Sequence, residues 1–310
     1  MSSILITGAN GFVGQALCRH LESSGRVITR AVRDAATANQ VSVGDIHDST
    51  DWHSALKDCH AVIHTAARVH MMEDQAADPL AEFRKTNTAG TLNLARQAAS
   101  SGVRRFVFIS SIKVNGESGH FKSQDTPAPQ DAYGLSKWEA EQGLHEIGKQ
   151  TGMEIVVIRP PLVYGPGVGA NFLRLMRIVK KGLPMPLGGI RNKRSLIYIG
   201  NLIDAITLAL SHPAAAGNTY LVADRETFST PDLMRNLAVA MGTRIYLPSM
   251  PSSWLRVAAK ITGKSDELDR LLDSLVVDTS SIQQDLGWKA PWNAQEGFAE
   301  TAKWFNQIDA

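Results

Sequence analysis

Five short runs of β-branched and apolar residues mark the first half of the chain: SILIT (3–7), RVITRAV (26–32), AVIHTA (61–66), RFVFIS (105–110) and EIVVIR (154–159). They are apolar almost without interruption, as strands buried on both faces are, rather than alternating like half-exposed ones. Between them the spacing turns helical, over 12–25, 78–102 and 131–152. The second helix has Asp78 to cap it, Pro79 in its first turn and Gly102 just past its end. The third follows an extended approach through Pro127 and Pro129, with Asp131 placed to cap its first turn. Buried strands alternating with helices predict an α/β fold built on a doubly wound parallel sheet.

After RPPLVYGPGVG (159–169) the texture changes, with more Pro, Gly and Met and fewer clean alternations. RSLIYI (194–199) and NLIDAITLAL (201–210) read as one more strand and helix returning to the sheet. The rest, including PDLMRNLAVAMG and SSIQQDLGW, is helical and irregular and suits a smaller lid. Two interleaved domains are expected: 1–165 plus about 194–222, and about 166–193 plus 223–310.

Composition narrows the class. A chain of 310 residues, 44% hydrophobic and 20% charged, is an ordinary globular protein with ample core. Its 32 basic and 30 acidic residues read as interspersed, so neither a nucleic-acid face nor a polybasic membrane patch is expected. Cys18 and Cys59 lack CxxC spacing and read as reduced thiols of a cytoplasmic protein. The apolar run ILI is too short for a leader, and no stretch approaches the ~20 residues of a membrane span.

Two motifs carry chemistry. ITGANGFVG follows the first strand and opens the first helix. Gly8, Gly11 and Gly14 allow a tight turn, close approach of backbone to a diphosphate and close helix packing, while the helix start offers N–H groups to phosphate. The second strand ends in Val32, where a dinucleotide-binding fold selecting NAD usually carries Asp or Glu. Arg33 follows and suits a 2′-phosphate. The second motif is Tyr133 with Lys137, one helical turn apart and on one face. A cation a few Å from a phenol lowers its pKa by roughly 1–3 units from about 10, which suits an acid/base.

The glycine form, Ser110–Ser111 and the Tyr133/Lys137 pair together resemble the extended short-chain dehydrogenases, the NAD(P)-dependent nucleotide-sugar epimerase and dehydratase family. The likeness runs over essentially the whole chain, through RPPLVYGPG and the tail DTSSIQQDLGW. It implies a Rossmann-like sheet with a smaller, mostly helical, substrate-binding lid. It also implies a catalytic group: Tyr133 as acid/base, Lys137 as its tuner and ribose holder, Ser111 as polariser of the substrate oxygen. Cofactor contacts are expected from Gly8, Gly11, Phe12, Val13, Gly14, Arg33, Ser110, Tyr133, Lys137 and Pro160. GDIH resembles the adenine clamp, through Asp45 and Ile46, and Thr65, Ala66 and Ala67 are small enough to lie under the cofactor. Asn87 is expected to hold helix and site in register and His64 to face the core, while His70 reads first as a plain loop histidine and otherwise as one facing the cleft. On the substrate side the resemblance points to Ser111, Lys113, Asn171, Arg194 and Arg270, with no metal.

Ile112 and Lys113 stand where a 4,6-dehydratase carries an acidic pair, which disfavours dehydration. Lys113 also replaces the small hydroxyl residue common in the epimerases. With Arg33, this favours an NADP-dependent reduction of a UDP-4-keto-6-deoxy-hexosamine, as in O-antigen synthesis. The alternative is a UDP-sugar 4-epimerase using bound NAD, and a non-catalytic NADP-sensing protein is more remote. A homodimer is implied through the helices at 78–102 and 131–152, with Leu92, Trp138 and Leu144 as apolar anchors.

Overall fold

The structure is a computed structural model that describes residues 3–37, 39–69, 78–251, 254, 260, 269 and 271–309. The chain runs β1 (Ser3–Thr7), α1 (Phe12–Ser23), β2 (Ile28–Val32), β3 (Gln40–Ser42), α2 (His53–Leu56), β4 (Cys59–His64), α3 (Pro79–Phe83), α4 (Thr91–Ser100) and β5 (Arg105–Ile109). It continues with β6 (Gly119–Phe121), α5 (Ala132–Thr151), β7 (Glu154–Arg159), β8 (Leu162–Tyr164), α6 (Ala170–Lys180), β9 (Arg194–Tyr198), α7 (Ile199–Ser211) and β10 (Thr219–Leu221). Then come β11 (Thr227–Phe228), α8 (Thr230–Ala240), β12 (Leu275–Val277), α9 (Ser280–Leu286) and α10 (Ala294–Ile308).

All five predicted strands lie in one seven-stranded sheet of order β10-β7-β5-β4-β1-β2-β3, parallel at every pairing. Successive side chains serve two cores. Val107 and Ile109 of β5 pack with residues of α1 and α7, whereas Phe106 and Phe108 pack with α4 and α5. Each such buried side chain contributes roughly 1.5–3 kcal/mol. The chain turns from building the sheet in one direction to the other between β1 and β4. The crevice of such a sheet lies outside the carboxyl ends of these strands, here Thr7, His64 and Ile109.

Two helix starts follow from their caps. Asp78 accepts from the Ala81 N–H at 3.0 Å, and Asp131 from the Gly134 N–H at 2.6 Å. The helix expected over 78–102 is interrupted, because Arg84–Gly90 between α3 and α4 widens into a π-helical segment. Such bulges turn side chains that a regular helix would aim elsewhere.

RSLIYI departs from expectation. It forms β9 of a second sheet, of order β11-β9-β12-β6 with β8 paired to β9. The strand that returns to the parallel sheet is β10, beside β7. Only α7 behaves as expected, packing on β5, β7 and α1. A short apolar run does not encode which sheet it joins. Outside the parallel sheet there is therefore a small second sheet as well as helices. Among the described residues no helix is long and apolar enough to cross a membrane.

Candidate active site

The glycine loop is as tight as its sequence implies. Gly8 has φ +66°, and a Cβ there would meet the Ala66 backbone at 2.8 Å. A Cβ on Gly14 would stand 2.1 Å from the Gly8 carbonyl oxygen, and one on Gly11 at 3.1 Å from it. The floor is stitched to β4: the Thr65 hydroxyl donates to the Thr7 carbonyl at 2.6 Å, and the Ala66 N–H donates to the Thr7 hydroxyl at 3.3 Å. Helix α1 has no side-chain cap, so the N–H groups of its first turn, Phe12, Val13 and Gly14, are left for an anion. Phe12 packs against the core and against Gly167 of the GPGVG loop. A cradle that a single methyl group would fill fits a dinucleotide diphosphate.

Arg33 and Asp45 come together, but with each other. Arg33 Nε meets Asp45 Oδ1 at 2.7 Å, with both side chains about three-quarters exposed. At that exposure the pair is worth under about 1 kcal/mol. Still, the guanidinium expected to favour a 2′-phosphate already has a carboxylate at hand. Ile46 packs on the π-helical segment, its methyl 2.5 Å from where a Cβ of Gly90 would be.

Beyond the end of β5 stand Ser110 and Ser111, and Tyr133 opens α5 one turn before Lys137. Phe83 meets the Tyr133 ring edge-on with centroids 5.9 Å apart. Burial pushes the Tyr133 hydroxyl up to about 12, the charge of Asp131 adding to it and a hydrogen bond with Ser111 opposing it. Lys137 is buried, donates to the Ile109 carbonyl at 2.8 Å and lies 4.3 Å from the Phe108 ring centre. Burial drives it down to about 7, against the pull of Glu141. The expected lowering of Tyr133 by Lys137 is thus not what this site shows: burial and the Asp131 charge raise the phenol, and burial lowers the lysine.

Two polar networks hold this group from behind. His64, expected in the core, is buried between Thr7 (2.6 Å) and Thr91 (2.9 Å) and stacks on Phe108. Burial, with the Lys137 charge, pushes it down to about 3, so it is neutral. The second network is one that the sequence motifs do not announce. Ser110 donates into the interior to Glu141, which also receives Arg159 at 3.0 Å, and Arg159 donates to Asn115 at 2.9 Å. The Ser110 side chain therefore faces the core, not the crevice where a cofactor contact was expected. The signals available were Arg159 ending an apolar strand and Glu141 four residues after Lys137. Asn87 does join site to helix: its amide donates to Ser136 at 3.1 Å and to the Arg68 carbonyl at 3.0 Å. Pro160 is buried, and its carbonyl accepts from the Ile112 N–H at 3.0 Å beside Ser111.

Lys113 is not offered to a substrate. Its ammonium is shared by Glu117 at 2.7 Å and by Asp131, the cap of α5. This pairing and the Gly134 N–H hold Asp131 below the ordinary carboxylate range despite burial. Across the cleft Asn171 is exposed on the first turn of α6, and Arg194 donates to the Asp273 carbonyl at 3.1 Å. A cavity of about 730 Å³, lined by Gly189, Arg191, Asn192, Met250, Pro251 and Ser274 among others, lies wholly in lid segments and includes none of the catalytic candidates. Arg270 and His70 lie outside the described residues. Among the described residues no group of three His, Cys, Asp or Glu is placed to hold a metal.

The sheet order and glycine turn define a dinucleotide-binding protein, and the serine, tyrosine and lysine beyond β5 narrow it to the short-chain dehydrogenase/reductase class. The profile of the NAD dependent epimerase/dehydratase family matches residues 4–223, and the chain belongs to that family. It is 48% identical over 316 residues to a UDP-glucose 4-epimerase of Vibrio cholerae, covering 99% of this chain and 96% of the relative. It is 25% identical to the N-acetyl-α-D-glucosaminyl-diphospho-ditrans,octacis-undecaprenol 4-epimerase of Escherichia coli O157:H7, covering 97% and 95%. Its fold matches that of UDP-glucuronic acid 4-epimerase from Bacillus cereus in complex with NAD, at a TM-score of 0.80 and 21% identity, over 99% of this chain and 100% of that one.

Proposed function

We propose that this protein is a UDP-sugar 4-epimerase, interconverting UDP-glucose and UDP-galactose or their N-acetyl forms, with NAD retained. The observation that carries this is the 48% identity, end to end, to a UDP-glucose 4-epimerase. It displaces the reductase favoured by the sequence motifs. One feature behind the reductase is also engaged elsewhere, which supports the change: Lys113 with Glu117 and Asp131.

Gly8, Gly11, Gly14, Phe12 and Val13 would hold the cofactor diphosphate, Asp45 and Ile46 the adenosine end, and Thr65, Ala66, Ala67 and Pro160 the floor. When bound, the nicotinamide supplies a hydride acceptor and donor for C4. Tyr133 takes the proton of the C4 hydroxyl and returns it, Ser111 holds that oxygen in line, and Lys137 sets the electrostatics around the phenol. Asn171, Arg194 and Arg270 would serve the substrate diphosphate from a lid made of about 166–193 and 223–310 together with β9, interleaved with the dinucleotide domain. A subunit pairing through α4 and α5 belongs to the same proposal.

The test is redox balance. The purified protein should interconvert UDP-glucose and UDP-galactose, or UDP-N-acetylglucosamine and its C4 epimer, with no added cofactor. Cofactor released by denaturation should be NAD. Stoichiometric consumption of NADPH with a UDP-4-keto-6-deoxy-N-acetylhexosamine, without epimerisation, would identify a reductase instead. A second reading concerns the aglycone. The Escherichia coli relative acts on a diphospho-undecaprenol sugar, and the exposed Tyr246 and Trp254 near the lid cavity favour the same chemistry on a lipid-linked diphosphosugar.

A further inference from the structure

The even overall balance of charge conceals a division. From Ile155 to Ile203, and again from Leu233 to Ser265, the sequence holds no Asp or Glu; these stretches carry 13 of the 32 basic residues and none of the 30 acidic ones. Folding lays parts of the two side by side. The Met185 N–H donates to the Tyr246 carbonyl at 3.0 Å, the Gly188 N–H donates to the Pro248 carbonyl at 3.1 Å, and Leu187 bridges Ser249. Around this seam the chain exposes Leu183 (57%), Tyr246 (67%), Met250 (40%) and Trp254 (70%), with Val239 (81%) on the last turn of α8. That is half of the ten large apolar side chains exposed among the described residues. Arg177, Lys181 and Arg244 are exposed on the same segments.

Rings with one polar end, aliphatic tips and the exposed cations Arg177, Lys181 and Arg244 form the composition of a bilayer interface, while Lys180 and Arg235 on the same helices pair with Asp309 and Asp232. Tyr and Trp sit at headgroup depth, Leu, Val and Met reach the acyl boundary, and Lys and Arg meet anionic phosphate. A nucleic acid fits less well, because Leu183, Val239 and Met250 offer a phosphate nothing and are poor stacking platforms. We propose that this face of the lid docks on the surface of an anionic phospholipid bilayer. The expectation of no membrane contact rested on the overall balance of charge, which does not register acid-free stretches that fold side by side. The lid cavity shares Met250 with the face. The docking face is independent of the C4 chemistry.

The full-length protein should co-sediment with vesicles of mixed phosphatidylcholine and phosphatidylglycerol, not with pure phosphatidylcholine, and high salt should release it. The double variant Lys181→Glu/Arg244→Glu should bind the anionic vesicles about 25-fold more weakly or worse, each cation being worth roughly fivefold. Tyr246→Ser/Trp254→Ser should lose vesicle binding while keeping the wild-type circular dichroism spectrum and wild-type mass in light scattering. Equal partition to both vesicle types, or to neither, overturns the proposal. So does a fall in mass in the Tyr246/Trp254 variant, which would make the face a contact between copies. Nucleic-acid binding that is lost in the charge variant, without vesicle binding, would overturn it as well.

Discussion

Tyr133 and Lys137 sit close enough to act together, yet burial moves them in opposite directions, the phenol up to about 12 and the ammonium down to about 7. Removing the phenol hydroxyl in Tyr133→Phe should lower epimerase turnover about 10²–10⁴-fold, with retained cofactor unchanged. Turnover near wild type would remove Tyr133 from the chemistry. Lys137 also makes stability depend on pH in a defined sense. Between about 7 and its unfolded value near 10.5 the unfolded chain binds a proton that the folded chain does not. Stability therefore rises with pH across that window, and the full burial penalty is present below it. The thermal midpoint of wild type should climb from pH 7 to 9, below the range where Cys18 and Tyr133 contribute the opposite slope. Lys137→Met should be flat there, and an equal climb in the variant would assign the slope to other groups.

At the scale of elements, the turn from β1 into α1 leaves no room for a side chain. In Gly14→Ala the new methyl must displace the Gly8 carbonyl, 2.1 Å away, whereas in Gly11→Ala the same oxygen lies at 3.1 Å. Overpacking of this kind costs roughly 1–3 kcal/mol, hence a loss of cofactor affinity of about tenfold or more for Gly14→Ala and a milder one for Gly11→Ala. Bound NAD per subunit, measured after mild dialysis with circular dichroism as the control for folding, reads this out; full retention in Gly14→Ala would contradict the assignment. Helix starts were legible for the same local reason: Asp78 and Asp131 satisfy N–H groups three residues away in sequence. The π-helical segment was not, since its widening is fixed by Asn87 and Thr88 bonding to the Ser136 region of α5, far off in sequence.

For the whole molecule, the family resemblance pairs subunits through α4 and α5. Of the three anchors expected, Leu144 is withdrawn completely into the core, and Leu92 is half-buried against Gly143 of its own chain. Leu92 and Trp138 keep some surface for a partner. Light scattering at micromolar concentration should give twice the 33.6 kDa of one chain, for an interface of about 1,000 Å² or more. A single-chain mass would remove the dimer.

Periodicity, caps and glycine spacing determined the strands and helices, the dinucleotide turn and the Tyr133/Lys137 face, because each is written within a few consecutive residues, while the role of Ser111 came from the family resemblance. Tertiary structure alone decided what depends on residues distant in sequence. It put β9 in the lid sheet and turned Ser110 toward Glu141 and Arg159. It engaged Arg33 with Asp45 and Lys113 with Glu117 and Asp131, and it set the two ionisable groups of the site by burial rather than by pairing. Charge partners and desolvation are properties of a packed interior, and no spacing along the chain specifies them.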